Sequence, residues 1–248
     1  RVRNFADVVK VSIPAAIHVL ILIAEKDLGG ALIFYITYIV ILYAATRKEG
    51  YILLGAGALA AGAAAAYKLF YHVRVRVAAW KDPWSDVANK GYQVTQSLFA
   101  IGTGGWFGMG LCEGTPQKIP VSKTDFIFSA ICEEMGVFFG LCIILVEISC
   151  FVMFINISLK INSRFYKLTA LGLSVEYMFQ TFLTIGGVTK FIPSTGVTLP
   201  LVSYGGSSVT STMILFAIIQ GLYVKNSGRG EIGETDGKRQ RRSRRNEE

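Results

Sequence analysis

Residues 123–134 read KTDFIFSAICEE, and the apolar run that they open continues to residue 157. A run of this length exceeds the roughly 20 residues of helix that cross a bilayer. It carries one acid at its first step, Asp125, and two more, Glu133 and Glu134, eight and nine residues on. Charge inside hydrocarbon is costly, so such groups normally face a bundle interior and mark function.

The rest of the chain follows the same pattern. Its 248 residues are 52% hydrophobic and 17% charged, with a mean hydropathy of +0.46. Soluble domains of this size are rarely so apolar. Apolar blocks fall at 11–24, 28–45, 51–70, 126–157, 168–188 and 199–224. The expected fold class is therefore an all-α integral membrane protein: a bundle of about six transmembrane helices with a long extracytoplasmic loop containing short interfacial helices. The first block must borrow flanking residues, the first two form a tight hairpin around Glu25-Lys26-Asp27, and the fourth is long enough to tilt or protrude.

Half of the net charge of +8 sits in the last eleven residues, KRQRRSRRNEE. Beside a membrane span such a tail marks the cytoplasmic side more often than a nucleic-acid partner. The organisation expected is a cytoplasmic segment at 1–10, three spans in 11–70, an extracytoplasmic loop at 71–123, three spans in 124–226 and a basic cytoplasmic tail at 227–248. Basic residues Arg1, Arg3, Lys10, Arg47, Lys48, Lys160, Arg164 and Lys167 then lie inside. The opening RVRNFADVVK has no Met and reads as a chain beginning in mid-sequence.

Several features have ordinary readings. Cys132, Cys142 and Cys150 read as buried thiols in a span and Cys112 as outward-facing, with no metal spacing. Gly57 with Ala61, or Ala58 with Gly62, would let a neighbouring helix approach closely. Trp80, Trp84, Tyr92 and Trp106 suit a membrane–water interface, and 91–101 reads as a short helix on that surface. The glycines at 102–110 lack the GK[ST] ending of a nucleotide loop. Two prolines and three glycines in 186–200 imply a shaped, re-entrant segment, and the hydroxyls of Ser203, Ser207, Ser208, Thr210 and Ser211 follow it.

Asp125 reads two ways: an acid complementing a helix N-terminus capped by Thr124, or a partly desolvated base at the outer lip of a cavity. On a straight helix Glu133 lies about 12 Å deeper, with Glu147 on nearly the same face. Glu176 and Gln180 are one turn apart, and Pro14 and His18 interrupt the first span. Interhelical hydrogen bonds account for these buried polar groups at least as well as a proton relay does.

Taken together, the stretches KDLGGALIF (26–34), AWKDPW (79–84), YQVTQSLFAIGTGGWFGMGL (92–111), KTDFIFSAICEEMG (123–136) and FIPSTGVTLPLVSYGGSS (191–208) resemble the shape, elongation, division and sporulation family, the RodA, FtsW and SpoVE proteins. The stretches occur in the family's order, and the resemblance is to its C-terminal part. It implies a peptidoglycan glycosyltransferase that polymerises lipid II with inversion at the outer face of the bacterial cytoplasmic membrane, beside a class B penicillin-binding protein and with no nucleic-acid partner.

By the same resemblance Asp125 is the catalytic base. Arg74, Arg76, Lys118 and Lys190 are candidate cations for the pyrophosphate, and Gln96, Ser97, Thr124 and Ser203 are further substrate contacts. Asp27 and Glu133 support the site. No cofactor is firmly implied; a divalent cation is the one left open, and no protein metal site is expected. Two departures stand out: Lys123 replaces a His that many members carry, and Lys26 replaces a Pro. Lys123 is expected to lower the pKa of Asp125 and weaken it as a base. The family's cavity draws on earlier helices, so this stretch alone is expected to be inactive. Competing functions are a lipid II flippase, using Glu133, Glu147 and Glu176, and a non-catalytic scaffold for a penicillin-binding protein.

Overall fold

The computed structural model describes the backbone of residues 5–245 and the side chains of residues 7–226. The basic residues assigned to Arg1, Arg3 and the tail lie outside the described side chains. Among the described residues all regular structure is helical: α1 (Phe5–Ala24), α2 (Leu28–Thr46), α3 (Gly50–Leu69), α4 (Tyr71–Lys81), α5 (Tyr92–Gly104), α6 (Ile127–Lys160), α7 (Arg164–Val188) and α8 (Gly206–Arg245). Six of these, α1–α3 and α6–α8, contain segments long and apolar enough to cross a membrane. The chain is a multi-pass membrane protein. Residues 25–27, 70–126 and 189–205 gather on one side of the bundle, called below the loop side.

The spans pack in a row. Helix α2 lies between α1 and α3 and against α7, which in turn packs on α6 and α8. Small residues admit the neighbours, as expected where hydrophobic burial adds little between helices in lipid. Gly55 meets Ile39, and Gly172 meets Ile41 and Thr37. The seam expected at Gly57 and Gly62 is not used: a side chain added at either would meet nothing within 4 Å. Helix α1 runs through Pro14, and His18 stacks on Phe34 of α2 at 5.3 Å. Of the three span cysteines Cys132 is buried, Cys150 partly buried and Cys142 exposed on the outside of the bundle.

Helix α6 is not one straight rod. Gly136 has φ 84° and ψ 164°, which divides it into segments 127–135 and 137–160. Residues 128 and 140 of a straight helix would stand about 18 Å apart. Instead a Cβ at Gly140 would lie 3.1 Å from the Phe128 ring and 2.8 Å from Cys132 Sγ. The first segment therefore folds back on the second. Residues 137–160 form the span, about 36 Å long at the helical rise. The excess length of the apolar run thus goes into a loop-side half-helix rather than into tilt.

A glycine-rich clasp holds this reversal. Val137 and Phe138 donate their N–H groups to the carbonyls of Gly105 and Trp106, and Met109 and Gly110 donate to those of Glu133 and Glu134. The backbones touch so closely that a Cβ at Gly136 would sit 2.3 Å from Trp106 O, and one at Gly108 would sit 2.2 Å from Glu134 O. Helix α5 does not rest loosely on the surface. Its Thr95 and Ser97 are fully buried, and Ala100 joins Ile119, Phe126, Phe128, Cys132, Val188 and Leu199 in a loop-side core.

The last apolar block does not begin as a helix. Residues 191–205 are irregular, and α8 starts only at Gly206, after Pro200 and Gly205. The shaped, irregular backbone expected over 186–200 is found from residue 191 onward, after α7 has ended at Val188. Its carbonyls and N–H groups find partners on α7 and α8, as irregular backbone near hydrocarbon must. Gln180 donates to Thr198 O at 2.9 Å, Thr184 to Val197 O at 3.0 Å, and the Thr198 and Ser208 hydroxyls pair at 2.8 Å.

Candidate active site

Asp125 stands on a tight turn made by residues 121–126. Val121 adopts φ 51°, a left-handed conformation that β-branched residues rarely take. Its carbonyl accepts from the N–H of Thr124 at 3.0 Å and from the Thr124 hydroxyl at 3.2 Å. On the other side Ser203 donates its hydroxyl to Thr124 O at 2.7 Å and accepts from Leu199 N–H at 2.8 Å. Tyr204 N–H donates to Lys123 O at 2.8 Å. The turn carrying Asp125 is thus fixed to the irregular 191–205 segment.

Arg76 of α4 completes the group. Its Nη1 donates to Thr195 O at 2.9 Å. Gly196, at φ 77°, lies between guanidinium and carboxylate: a Cβ there would be 3.2 Å from Arg76 Nη2 and 3.5 Å from Asp125 Oδ2. A side chain at this position would fill the space between the two charged groups. The Thr195 hydroxyl oxygen is buried and has no hydrogen-bond partner.

Half-burial pushes the Asp125 carboxyl above its ordinary value, and a hydrogen bond from Thr124 and the Arg76 charge only partly offset it. The sequence expectation was the reverse, a pKa lowered by Lys123. Lys123 is exposed, and the cation acting on Asp125 is Arg76, 49 positions away in the chain. Loss of hydration outweighs that single attraction.

The other expected site residues divide. Asp27 is exposed and caps α2, accepting from Gly30 N–H at 2.8 Å. The first turn of α2 lies against the site's floor, since a Cβ at Gly29 would be 3.0 Å from Thr195 O. Asp27 thus caps the helix whose first turn meets Thr195. Ser203 is 3% exposed with its hydroxyl engaged twice, which ties the Asp125 turn to the 191–205 segment. Ser97 is fully buried, paired with Ser129 at 2.6 Å and donating to Val188 O at 2.9 Å; it is packing rather than a contact surface.

Arg74, two residues from Arg76 on α4, turns away and stacks over the Tyr71 ring at 5.9 Å. Lys118 is exposed on the short 3-10 turn Pro116–Lys118. Gln96 is partly buried on α5. Lys190 is held through its backbone, its carbonyl accepting from Trp80 Nε1 at 3.2 Å.

Glu133 is not deep below Asp125. Because the chain reverses at Gly136, its buried carboxylate meets the loop, accepting from Thr115 N–H at 3.1 Å, while its second oxygen has no partner. Nor does it share a face with Glu147, which lies beyond the break and accepts from Thr181 Oγ1 of α7 at 3.2 Å. That bond is the interhelical kind the sequence allowed for. Among the described residues no three His, Cys, Asp or Glu side chains converge on a metal position. A cation beside Asp125 would also meet the like charge of Arg76, so the residues present do not form a protein-ligated ion site.

Sequence reading missed Thr195 and Gly196 as part of this group. The signals available were the glycine and proline content of their segment and its place in the FIPSTGVTLPLVSYGGSS stretch.

Comparison with known proteins places the chain in a family. Residues 2–228 match the family model FTSW_RODA_SPOVE, described as cell cycle protein. The peptidoglycan glycosyltransferase RodA of Mycobacterium tuberculosis (strain CDC 1551 / Oshkosh) is 41% identical over 203 residues, which cover 82% of this chain and 43% of that protein. The probable peptidoglycan glycosyltransferase FtsW of Geobacter sp. (strain M18) is 34% identical over 219 residues, 86% of this chain and 58% of that protein. The chain thus spans about half the length of the curated relatives it matches. A solved chain from work on the structural coordination of polymerization and crosslinking by a peptidoglycan synthase complex superposes with a TM-score of 0.73 at 25% identity, covering 90% of this chain and 64% of that one. On the family match across residues 2–228, the chain belongs to the FtsW, RodA and SpoVE family.

Proposed function

We propose that this chain carries the catalytic base of a peptidoglycan glycosyltransferase, which polymerises lipid II at the outer face of the bacterial cytoplasmic membrane. The observation that carries the reading is the half-buried Asp125 beside Arg76, on a loop-side platform held by residues far apart in sequence. A carboxylate whose pKa is raised by burial is a stronger base, when ionised, than an exposed one. The names of the relatives supply the reaction class.

In this reading the acceptor sugar's 4-hydroxyl gives its proton to Asp125 as its oxygen attacks the donor's anomeric carbon from the face opposite the leaving group. The new glycosidic bond forms with inversion, and the electron pair of the broken bond leaves on undecaprenyl pyrophosphate. Arg76, aimed by Thr195 O, supplies positive charge where the phosphate oxygens become more negative. The solved relative's description as part of a synthase complex supports a crosslinking partner of the penicillin-binding class for this chain.

The test is glycan synthesis from lipid II by the purified full-length protein with its partner. Asp125→Ala is expected to abolish polymer. Polymer formed at the parent's rate would overturn the assignment.

A further inference from the structure

Between Lys90 and Glu113 the chain has no Asp, Glu, Lys, Arg or His. The clasp at the end of this stretch turns its large side chains outward: Phe107 is 88% exposed, Leu111 71% and Trp106 68%. In water this would be an unfavourable surface for a loop tip.

Two observations say what covers it. First, the clasp backbone is unusually well paired for a loop. Gly108 donates to Gly104 O, Met109 to Glu133 O and Gly110 to Glu134 O, while the carbonyls of Gly105 and Trp106 accept from Val137 and Phe138. A water-exposed turn has no need of this, whereas irregular backbone entering a bilayer must satisfy its polar groups within the protein. Second, the tip is continuous with an exposed apolar stripe on a helix long and apolar enough to cross a membrane. Phe138, Leu141 and Leu145 share one face of the 137–160 span and are 61%, 45% and 62% exposed. The Phe138 N–H bonds Trp106 O at 3.2 Å, which sets the tip at the height where that stripe begins.

We infer that Trp106, Phe107 and Leu111 form a wedge inserted into the acyl–headgroup boundary of the loop-side leaflet. Trp and Phe are suited to that depth, where an apolar body is buried while polar groups reach water. The exposed acid Glu113 and the Pro116–Lys118 turn mark the return to water. Because the wedge backbone is bonded to Glu133 and Glu134, at the end of the half-helix that follows Asp125, it fixes the height of that half-helix against the bilayer.

The test places Trp106 as the single tryptophan of the full-length protein, all others being changed to Phe, in vesicles of phosphatidylcholine brominated near the top or near the end of the acyl chain. A second reporter, Phe107→Trp in a Trp106→Phe background, guards against a variant that misfolds. The expected result is about twofold or greater quenching by the shallow bromines, less by the deep ones, and little by aqueous iodide, as for a ring 5–10 Å into the boundary. Iodide quenching without bromine quenching would overturn the inference in favour of a water-exposed loop. Protection from both quenchers would overturn it in favour of a protein covering.

Discussion

Arg76 on α4 donates to the carbonyl of Thr195 at 2.9 Å, and with the bond from Trp80 Nε1 to Lys190 O it ties the helix after the third span to the segment before the last. It leaves Nη2 facing Gly196 and Asp125. A lysine cannot hold a carbonyl and stand beside a carboxylate with the same planar fork. Arg76→Lys is therefore expected to resemble Arg76→Ala, with a loss of roughly 2 kcal/mol of transition-state stabilisation, about 30-fold in rate. Rates of glycan formation at saturating lipid II measure it, and full activity of the lysine variant would refute the geometric role.

Asp125 carries two opposed expectations. Burial is the largest influence on it and disfavours its charged form, so Asp125→Asn removes a cost in the folded state. The variant is expected to unfold at a higher temperature than the parent while polymerising at least about 100-fold more slowly, the usual contribution of a general base. A lower unfolding temperature would show that the Arg76 attraction outweighs desolvation.

The pH dependence follows from the same shift. Only the ionised carboxylate accepts a proton, so activity falls as pH drops through the raised pKa of Asp125. The acid limb of the rate profile is expected above the ordinary aspartate value. For stability the sign is opposite. The folded state holds its proton more tightly than the unfolded chain, so this group's contribution weakens as pH rises from the unfolded to the folded pKa. A rate profile flat down to the ordinary aspartate range would contradict the site's burial.

Gly136 and Val121 test the backbone in opposite directions. Gly136→Ala puts a methyl 2.3 Å from Trp106 O at φ 84°, and is expected to destabilise by about 2–3 kcal/mol. Val121 holds φ 51° with a branched side chain half exposed. Val121→Asn, which tolerates that region, is expected to gain about 1 kcal/mol. Denaturant unfolding in detergent reads both, and a neutral Gly136→Ala would mean that the reversal does not depend on the clasp.

Glu147 separates catalysis from transport. Buried and bonded to Thr181, it reads as a packing group. Glu147→Gln, which keeps the oxygen acceptor, is expected to leave polymerisation within about threefold of the parent, a change below 1 kcal/mol. Loss of lipid translocation in a vesicle assay, with polymerisation intact, would instead support the flippase reading.

The six spans were legible in the sequence because crossing a bilayer is a local requirement, met by each apolar run on its own. The tight turn at Glu25-Lys26-Asp27, the irregular chain ahead of Pro200 and the prominence of Asp125 could be read the same way, from composition and position, whereas the delay of α8 to Gly206 could not. What the sequence could not settle depends on residues that are distant in the chain. Nothing local says that KTDFIFSAICEE runs as a half-helix back along its own span; that follows from Gly136 meeting the backbone of residues 106–108. Nothing local chooses Arg76 over Lys123 or Arg74 as the cation beside Asp125, or buries the hydroxyls of Ser97 and Ser203. Those outcomes come from α4, α5 and the 191–205 segment converging on one side of the bundle, where backbone and hydroxyl groups must find partners away from water.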